Sequence, residues 1–215
     1  MDNTQPIYLS ASTAQFFERP DLFGCMFSYR PIGGQPEALA AGCKWMLDNG
    51  EFAGRFVFQS WVLQLALMLP FRKTCLGIIV PDVPYHSEAT LERFRQYYMI
   101  PRALGYPVAH ATQDGMAPER VPWALIDVLF IGGSDAHKRG IEATRLALAA
   151  RQCGKWIHIG RVSGGEPIRQ FWSWADSFDG TTFVRNGKLW GAADKMRTIS
   201  AALEAVPMYD QWGMI

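Results

Sequence analysis

The sequence predicts a compact (β/α)8 barrel of the TIM type. Three observations predict it: eight short apolar runs, helix-period segments between most of them, and polar residues gathered just after the runs. The runs are IYLSAS (7–12), GCMFSY (24–29), WMLD (45–48), CLGIIVPD (75–82), PVAHATQ (107–113), VLFIGGS (128–134), WIHIGRV (156–162) and DSFDGTTF (176–183). Each is short and predominantly apolar, and several are bounded by Gly, Pro or Asp, which reads as a buried strand.

Between them, SEATLERFRQYYMIPRAL, AHKRGIEATRLALAARQC and EPIRQFWSWA carry apolar residues at spacings of three and four, and DKMRTISAALEAV closes the chain as a last helix. Strands that alternate with helices pair in parallel through right-handed crossovers. Eight such units favour a closed barrel; a doubly wound open sheet is the alternative. With 215 residues and no visible repeat, low-complexity tract or linker, the expectation is a single domain over 1–215.

Composition narrows the function classes. Hydrophobic residues make up 49% and charged residues 19%, enough for a substantial core. No apolar run approaches the roughly 18 residues of a membrane span, and MDNTQPIY lacks the basic and apolar regions of a signal peptide, so a soluble cytoplasmic protein is expected. The cysteines Cys25, Cys43, Cys75 and Cys153 form no CxxC and read as buried thiols, without a disulfide framework or zinc site. Net charge is only +1, yet residues 137 to 197 hold eleven Lys/Arg against five Asp/Glu, an excess that suits a polyanion or a solvated helical face.

The polar letters after the strands, LDNGEF, VPDVP, TQDG, IGGSD, IGRVSGG and FDGTT, fall where a parallel barrel carries its active site. Asp48, Asp82 and Asp179 each end a different predicted strand, so closure gathers three like charges that raise one another's pKa. Chemistry explains such a cluster: one carboxylate attacks an anomeric carbon, another carries the leaving-group proton, and a third reads a base edge. The segment ADSFDGTTFVRNGK adds Asp176, Arg185 and Lys188 at what reads as a strand end and the loop beyond it. His110 and His158, inside strands, read as core histidines satisfied by backbone; His86 and His137 read as loop residues, and Trp172 and Trp174 as packing against the barrel.

The motif order LDNGEF, VPDV, TQDG, FIGGS, HIGRV, DSFDGTTFVRNGK resembles that of the tRNA-guanine transglycosylase superfamily, and more closely its phage and bacterial paralogues that insert 7-deazaguanines into DNA. The likeness covers roughly residues 45 to 190, and Asp179 with Arg185 and Lys188 is its most specific element. It implies Asp179 as nucleophile, Asp48 as general acid/base, Asp82 and Gln113 reading the guanine edge, and the paired Gly132 and Gly133 close to the base. It further implies a stacking slot walled by Phe52 and Ile159, with Arg161, Arg185 and Lys188 along the nucleic acid.

Asn49 and Glu51 depart from the family's DSGGF-like pattern. No cysteine follows Cys153, so the zinc element of the tRNA enzymes is missing from the pattern, which favours DNA over tRNA as the polymer. The expected activity is exchange of guanine in DNA for a 7-deazaguanine of the preQ0 type, with no cofactor and no metal, in a host cytoplasm if the source is a phage. The likeness also allows a homodimer or a partner protein. A tRNA substrate, a metal-dependent barrel hydrolase and a catalytically inactive nucleic-acid-binding paralogue are the competing readings.

Overall fold

In the computed structural model, which describes residues 6–11, 13–28, 36–162, 171 and 174–180, eight parallel strands close in chain order. They are β1 (Ile7–Ser10), β2 (Phe23–Phe27), β3 (Trp45–Leu47), β4 (Cys75–Ile79), β5 (Val108–Thr112), β6 (Val128–Ile131), β7 (Trp156–Ile159) and β8 (Ser177–Asp179). β8 pairs with β1, setting Asp179 opposite Leu9, and this contact excludes the open sheet. Each of the eight apolar runs contributes a strand.

Seven helices are described: α1 (Ala14–Glu18), α2 (Pro36–Ala40), α3 (Phe58–Met68), α4 (Ser87–Tyr97), α5 (Met99–Ala103), α6 (Asp135–Arg139) and α7 (Ile141–Gln152). The segment after residue 86 reads as one helix but forms two, because Pro101 has no N–H to give the carbonyl of Tyr97. Gly140, extended at φ −80° and ψ 168°, likewise separates α6 from α7. α7 buries Ala143, Leu146, Ala147 and Ala150, a single stripe at spacings of three and four. The closing helix and most of EPIRQFWSWA, with Trp172, lie outside the described residues. Trp174 packs edge-on against Phe171 with ring centres 5.0 Å apart, the structural role expected of it.

Period-two alternation sorts the strand side chains into two cores. Leu9, Met46, Ile79, Ala109, Ala111 and Val128 fill the barrel. A larger shell between strands and helices holds Phe23, Trp45, Ile78, Leu129, Ile157, Ile159 and Phe178 among others. On β2 an interior position is glycine: a Cβ on Gly24 would stand 2.5 Å from the Lys44 carbonyl oxygen and 2.6 Å from a Leu9 methyl. Gly24→Ala is therefore expected to destabilise the fold by about 1–3 kcal/mol, the usual cost of overpacking, read as a lower denaturant midpoint at unchanged slope.

All four thiols are free. Cys25, Cys43 and Cys75 are buried, but Cys153, at the solvent end of α7, is exposed, which corrects the expectation for that residue. Among the described residues no helix is long and apolar enough to cross a membrane.

Candidate active site

The alternation that fills the barrel also builds a cavity of about 390 Å³ at the carboxyl ends of the strands. Two residues beyond the inward Met46 comes Asp48; two beyond Ala111 comes Gln113; two beyond Phe130 comes Gly132; and inward Ser177 leads to Asp179. Asp82 enters from the loop after β4. All five line the cavity, with Gly133, Phe52 and Arg161.

The floor is a hydrogen-bonded frame around Asp82, which is 9% exposed. Asn49 Nδ2 donates to Asp82 Oδ1 at 2.9 Å and to the Val80 carbonyl at 3.1 Å, and Gln113 Nε2 donates to Asp82 Oδ2 at 2.6 Å. The backbone N–H of Tyr85 donates to Gln113 Oε1 at 2.8 Å, so the Gln113 amide has one polarity, oxygen outward to the loop and NH2 toward Asp82. The two departures from the family pattern belong to this frame. Asn49 Oδ1 accepts from Glu51 N at 2.9 Å, and Glu51 pairs with Arg93, whose Nη1 reaches the Asp82 carbonyl at 3.0 Å. Burial raises the pKa of Asp82, opposed by the Asn49 hydrogen bond.

Asp48 is half-buried by area, yet its carboxyl is deeply desolvated. Desolvation pushes its pKa up to about 6, the backbone N–H of Gly50 pulls it down, and the charges of Asp179 and Asp82 push it further up. A carboxyl near 6 exchanges its proton readily close to neutrality. Asp179 is held differently. Its Oδ1 accepts from His158 Nε2 at 2.9 Å and from the Arg161 backbone N–H at 3.0 Å, and none of the described hydrogen bonds falls on Oδ2.

Among the described residues only two non-glycines have positive φ, Tyr85 (68°) and Arg161 (56°). The left-handed region costs an ordinary residue about 1–2 kcal/mol. Both spend that strain on the site, since the Tyr85 N–H orients Gln113 and the Arg161 N–H holds Asp179. The turn at Arg161 is pinned from behind by Lys138, 4% exposed, whose ammonium pairs with Asp135 at 2.9 Å and donates to the Gly160 carbonyl at 3.1 Å.

The stacking slot differs from expectation. Phe52 stands at the cavity rim, 54% exposed, with the Arg161 guanidinium 3.8 Å from its ring centre. Ile159 is fully buried in the outer shell and does not reach the cavity, because alternation turns it away while His158 and Gly160 face inward. The apolar wall inside the barrel is Phe130, stacked on His158 at 4.8 Å. Among the described residues the Arg161 guanidinium does not pair with Asp179; its Nη2 donates to the Gly133 carbonyl at 2.6 Å.

Gly132 and Gly133 line the cavity; packing alone requires glycine at Gly133 and leaves little room for a side chain at Gly132. A Cβ on Gly133, at φ 76°, would lie 2.5 Å from Asp114 Oδ2, and one on Gly132 would lie 3.0 Å from the Thr112 carbonyl.

Asp176 is not at the cavity rim. It precedes β8, at the opposite end of the barrel, where it pairs with Arg151 at 2.9 Å and accepts from Ile157 N at 2.7 Å. Arg145 and Lys138 also have acidic partners, Glu142 and Asp135, so part of the basic excess is neutralised locally. Arg185, Lys188, Glu166 and the Gly164–Gly165 pair lie outside the described residues.

The histidines also differ from their sequence reading. His110 faces the helical shell, edge-on to Phe94 at 4.7 Å, and among the described residues neither of its ring nitrogens has a hydrogen-bond partner. His158 is buried, but its partners are the side chains of Ser177 and Asp179 rather than backbone. His86 precedes α4 in a loop, whereas His137 is on α6, its backbone N–H donating to the Ser134 cap at 3.1 Å.

No family model matches the sequence, and no curated protein matches it. Solved structures do. A chain of Mycobacterium tuberculosis tryptophan synthase, in an aminoacrylate- and BRD0059-bound form, superposes with a TM-score of 0.58 at 13% identity, covering 96% of this chain and 94% of that one. A chain of the Pyrococcus furiosus tryptophan synthase complex gives 0.53 at 13% identity, covering 94% and 97%. A GH113 β-1,4-mannanase gives 0.52 at 12% identity, covering 94% and 98%. These are barrel enzymes of differing function, and the likeness at such identity is one of fold.

Proposed function

We propose that the chain is a base-exchange glycosyltransferase that replaces guanine in DNA with a 7-deazaguanine base through a covalent aspartyl-glycosyl intermediate. The observation that carries the reading is the pairing, in one cavity, of a fixed acceptor and donor frame with two differently held carboxylates. Asp82 retains acceptor capacity for the N1–H and N2–H of a guanine edge, and the second Nε2 hydrogen of Gln113 is a donor for the adjacent carbonyl oxygen.

In this reading Asp179 attacks C1′, and the electrons of the C1′–N9 bond leave with guanine, which takes a proton from Asp48. Asp48 then accepts the N9 proton of the incoming 7-deazaguanine, whose nitrogen displaces the Asp179 carboxylate from C1′. Two displacements give net retention. In a duplex the target nucleotide leaves the stack, which costs a few kcal/mol, and Phe52 with Arg161 at the rim meets the extruded base. The chain's likeness to barrel enzymes is compatible with this reading but does not select it.

The test is transfer of labelled preQ0 by the purified protein into duplex DNA and tRNA in parallel. Label in DNA supports the proposal, and label only in tRNA keeps the chemistry and overturns the polymer. Nucleic-acid binding without transfer to either favours the inactive paralogue. Specificity has its own test: Gln113→Leu leaves the Tyr85 N–H and a substrate carbonyl without their partner, so kcat/KM is expected to fall by about 10- to 100-fold. An unchanged value would remove Gln113 from the base-reading frame.

A further inference from the structure

We propose that His158 is a positioning residue that aims the Asp179 carboxylate, locked into one tautomer by a hydrogen-bond chain through Ser177 to Trp156. Its catalytic consequence rests on the proposed nucleophilic role of Asp179; its tautomer does not.

Groups on both sides of the ring fit one neutral tautomer. The Trp156 indole can only donate, and its Nε1–H meets Ser177 Oγ at 2.8 Å, so the Ser177 hydroxyl is free to direct its own proton at His158 Nδ1, also 2.8 Å away. In the neutral ring protonated at Nε2, Nδ1 accepts that proton. At the other side Nε2 faces Asp179 Oδ1 at 2.9 Å, and a carboxylate accepts only, so Nε2 carries the hydrogen. Both ends of the imidazole are satisfied by the same neutral form.

The ring cannot tilt out of this arrangement. His158 is fully buried, Phe130 lies over it with planes 24° apart, and β-pairing sets His158 directly opposite Ser177. Phe130 lines the cavity, whereas His158 does not. The histidine therefore acts through Asp179: together with the Arg161 N–H it ties down Oδ1 and presents Oδ2 as the attacking oxygen. A nucleophile displaced by about 1 Å loses on the order of 100-fold in rate.

Long-range proton–nitrogen NMR of the full chain, labelled at histidine and read at slightly alkaline pH, tests the tautomer without any substrate. A single neutral ring protonated at Nε2 is expected for His158; an imidazolium or an Nδ1-protonated ring overturns the proposal. In the exchange assay, His158→Gln keeps a donor near the Nε2 position and is expected to stay within about 10-fold of the parent. His158→Leu, which offers Asp179 no hydrogen bond, is expected to lose about 100-fold in kcat at unchanged KM. Equal activity of the Leu and Gln variants overturns the proposal as well. Should His158→Leu fail to fold, Ser177→Ala serves: it frees one side of the ring and is expected to lower kcat and leave KM alone, and an unchanged kcat counts against positioning. If the parent protein transfers no base, the functional reading fails while the NMR result still decides the tautomer lock.

Discussion

Asp179→Asn is expected to reduce base exchange by at least about 10⁴-fold and to abolish the covalent adduct, while nucleic-acid binding and the fold persist. The magnitude is that of removing the proposed nucleophile. Asparagine is the informative variant because its side-chain oxygen still accepts from His158 Nε2 and the Arg161 N–H, the two donors that Asp179 Oδ1 satisfies. Alanine should be equally inactive but leaves both donors unpaired, at a cost of about 1–3 kcal/mol each, so a fall in stability accompanies it. Intact mass after denaturation of a single-turnover mixture reads the adduct directly. An adduct that persists in the asparagine variant would move the nucleophile elsewhere in the cavity.

Asp48→Asn is expected to slow exchange by about 10²- to 10⁴-fold and to erase one limb of the pH profile. With its pKa pushed up to about 6, the wild-type carboxyl is mostly protonated below that pH and mostly ionised above it. In the proposed mechanism release of guanine in a single turnover needs the acid form, so its rate should be level below about 6 and fall as pH rises. A limb that survives in the variant would assign it to another group.

The same shift predicts a gain in stability. The folded carboxyl binds its proton more tightly than an ordinary aspartate of the unfolded chain, near 3.8, so its favourable contribution is complete below that pH and is lost as pH rises through about 6. Asp48→Asn should therefore be more stable than the parent above pH 6, by on the order of 2–3 kcal/mol, with the difference closing below the unfolded value. Denaturant midpoints across this range give the sign directly. A variant that is both inactive and more stable is the signature of a carboxyl kept in place for chemistry.

Much of the architecture was legible in the chain. Six of the eight apolar runs lead into polar letters, and a parallel barrel delivers every strand's carboxyl end to one rim, so Asp48, Asp82, Gln113, Gly132 and Asp179 converge although 131 positions separate the first from the last. That inference needs only strand order and direction. Asp176 was misplaced because the sequence does not mark where a strand starts: it precedes Ser177 and so belongs to the other end of the barrel. Ile159 was misplaced by one residue of parity, and one residue turns a side chain from the barrel interior to the helical shell.

Local sequence determined the elements, the rim and most of the residues that reach it, because apolar runs and the turn residues that end them act over a few positions. Only the tertiary structure decided how those residues are held. Asn49 and Glu51 looked like departures from a pattern until Asp82 and Arg93 came within hydrogen-bond reach, and Tyr85 and Arg161 showed their role only through positive φ angles that aim backbone N–H groups across to other strands. His158 meets Ser177 and Asp179 because closure sets β7 and β8 in a register that pairs His158 with Ser177. Register between strands depends on the packing of the whole barrel, and a hydrogen bond tolerates only a few tenths of an ångström, so no local reading of the chain could have placed these partners.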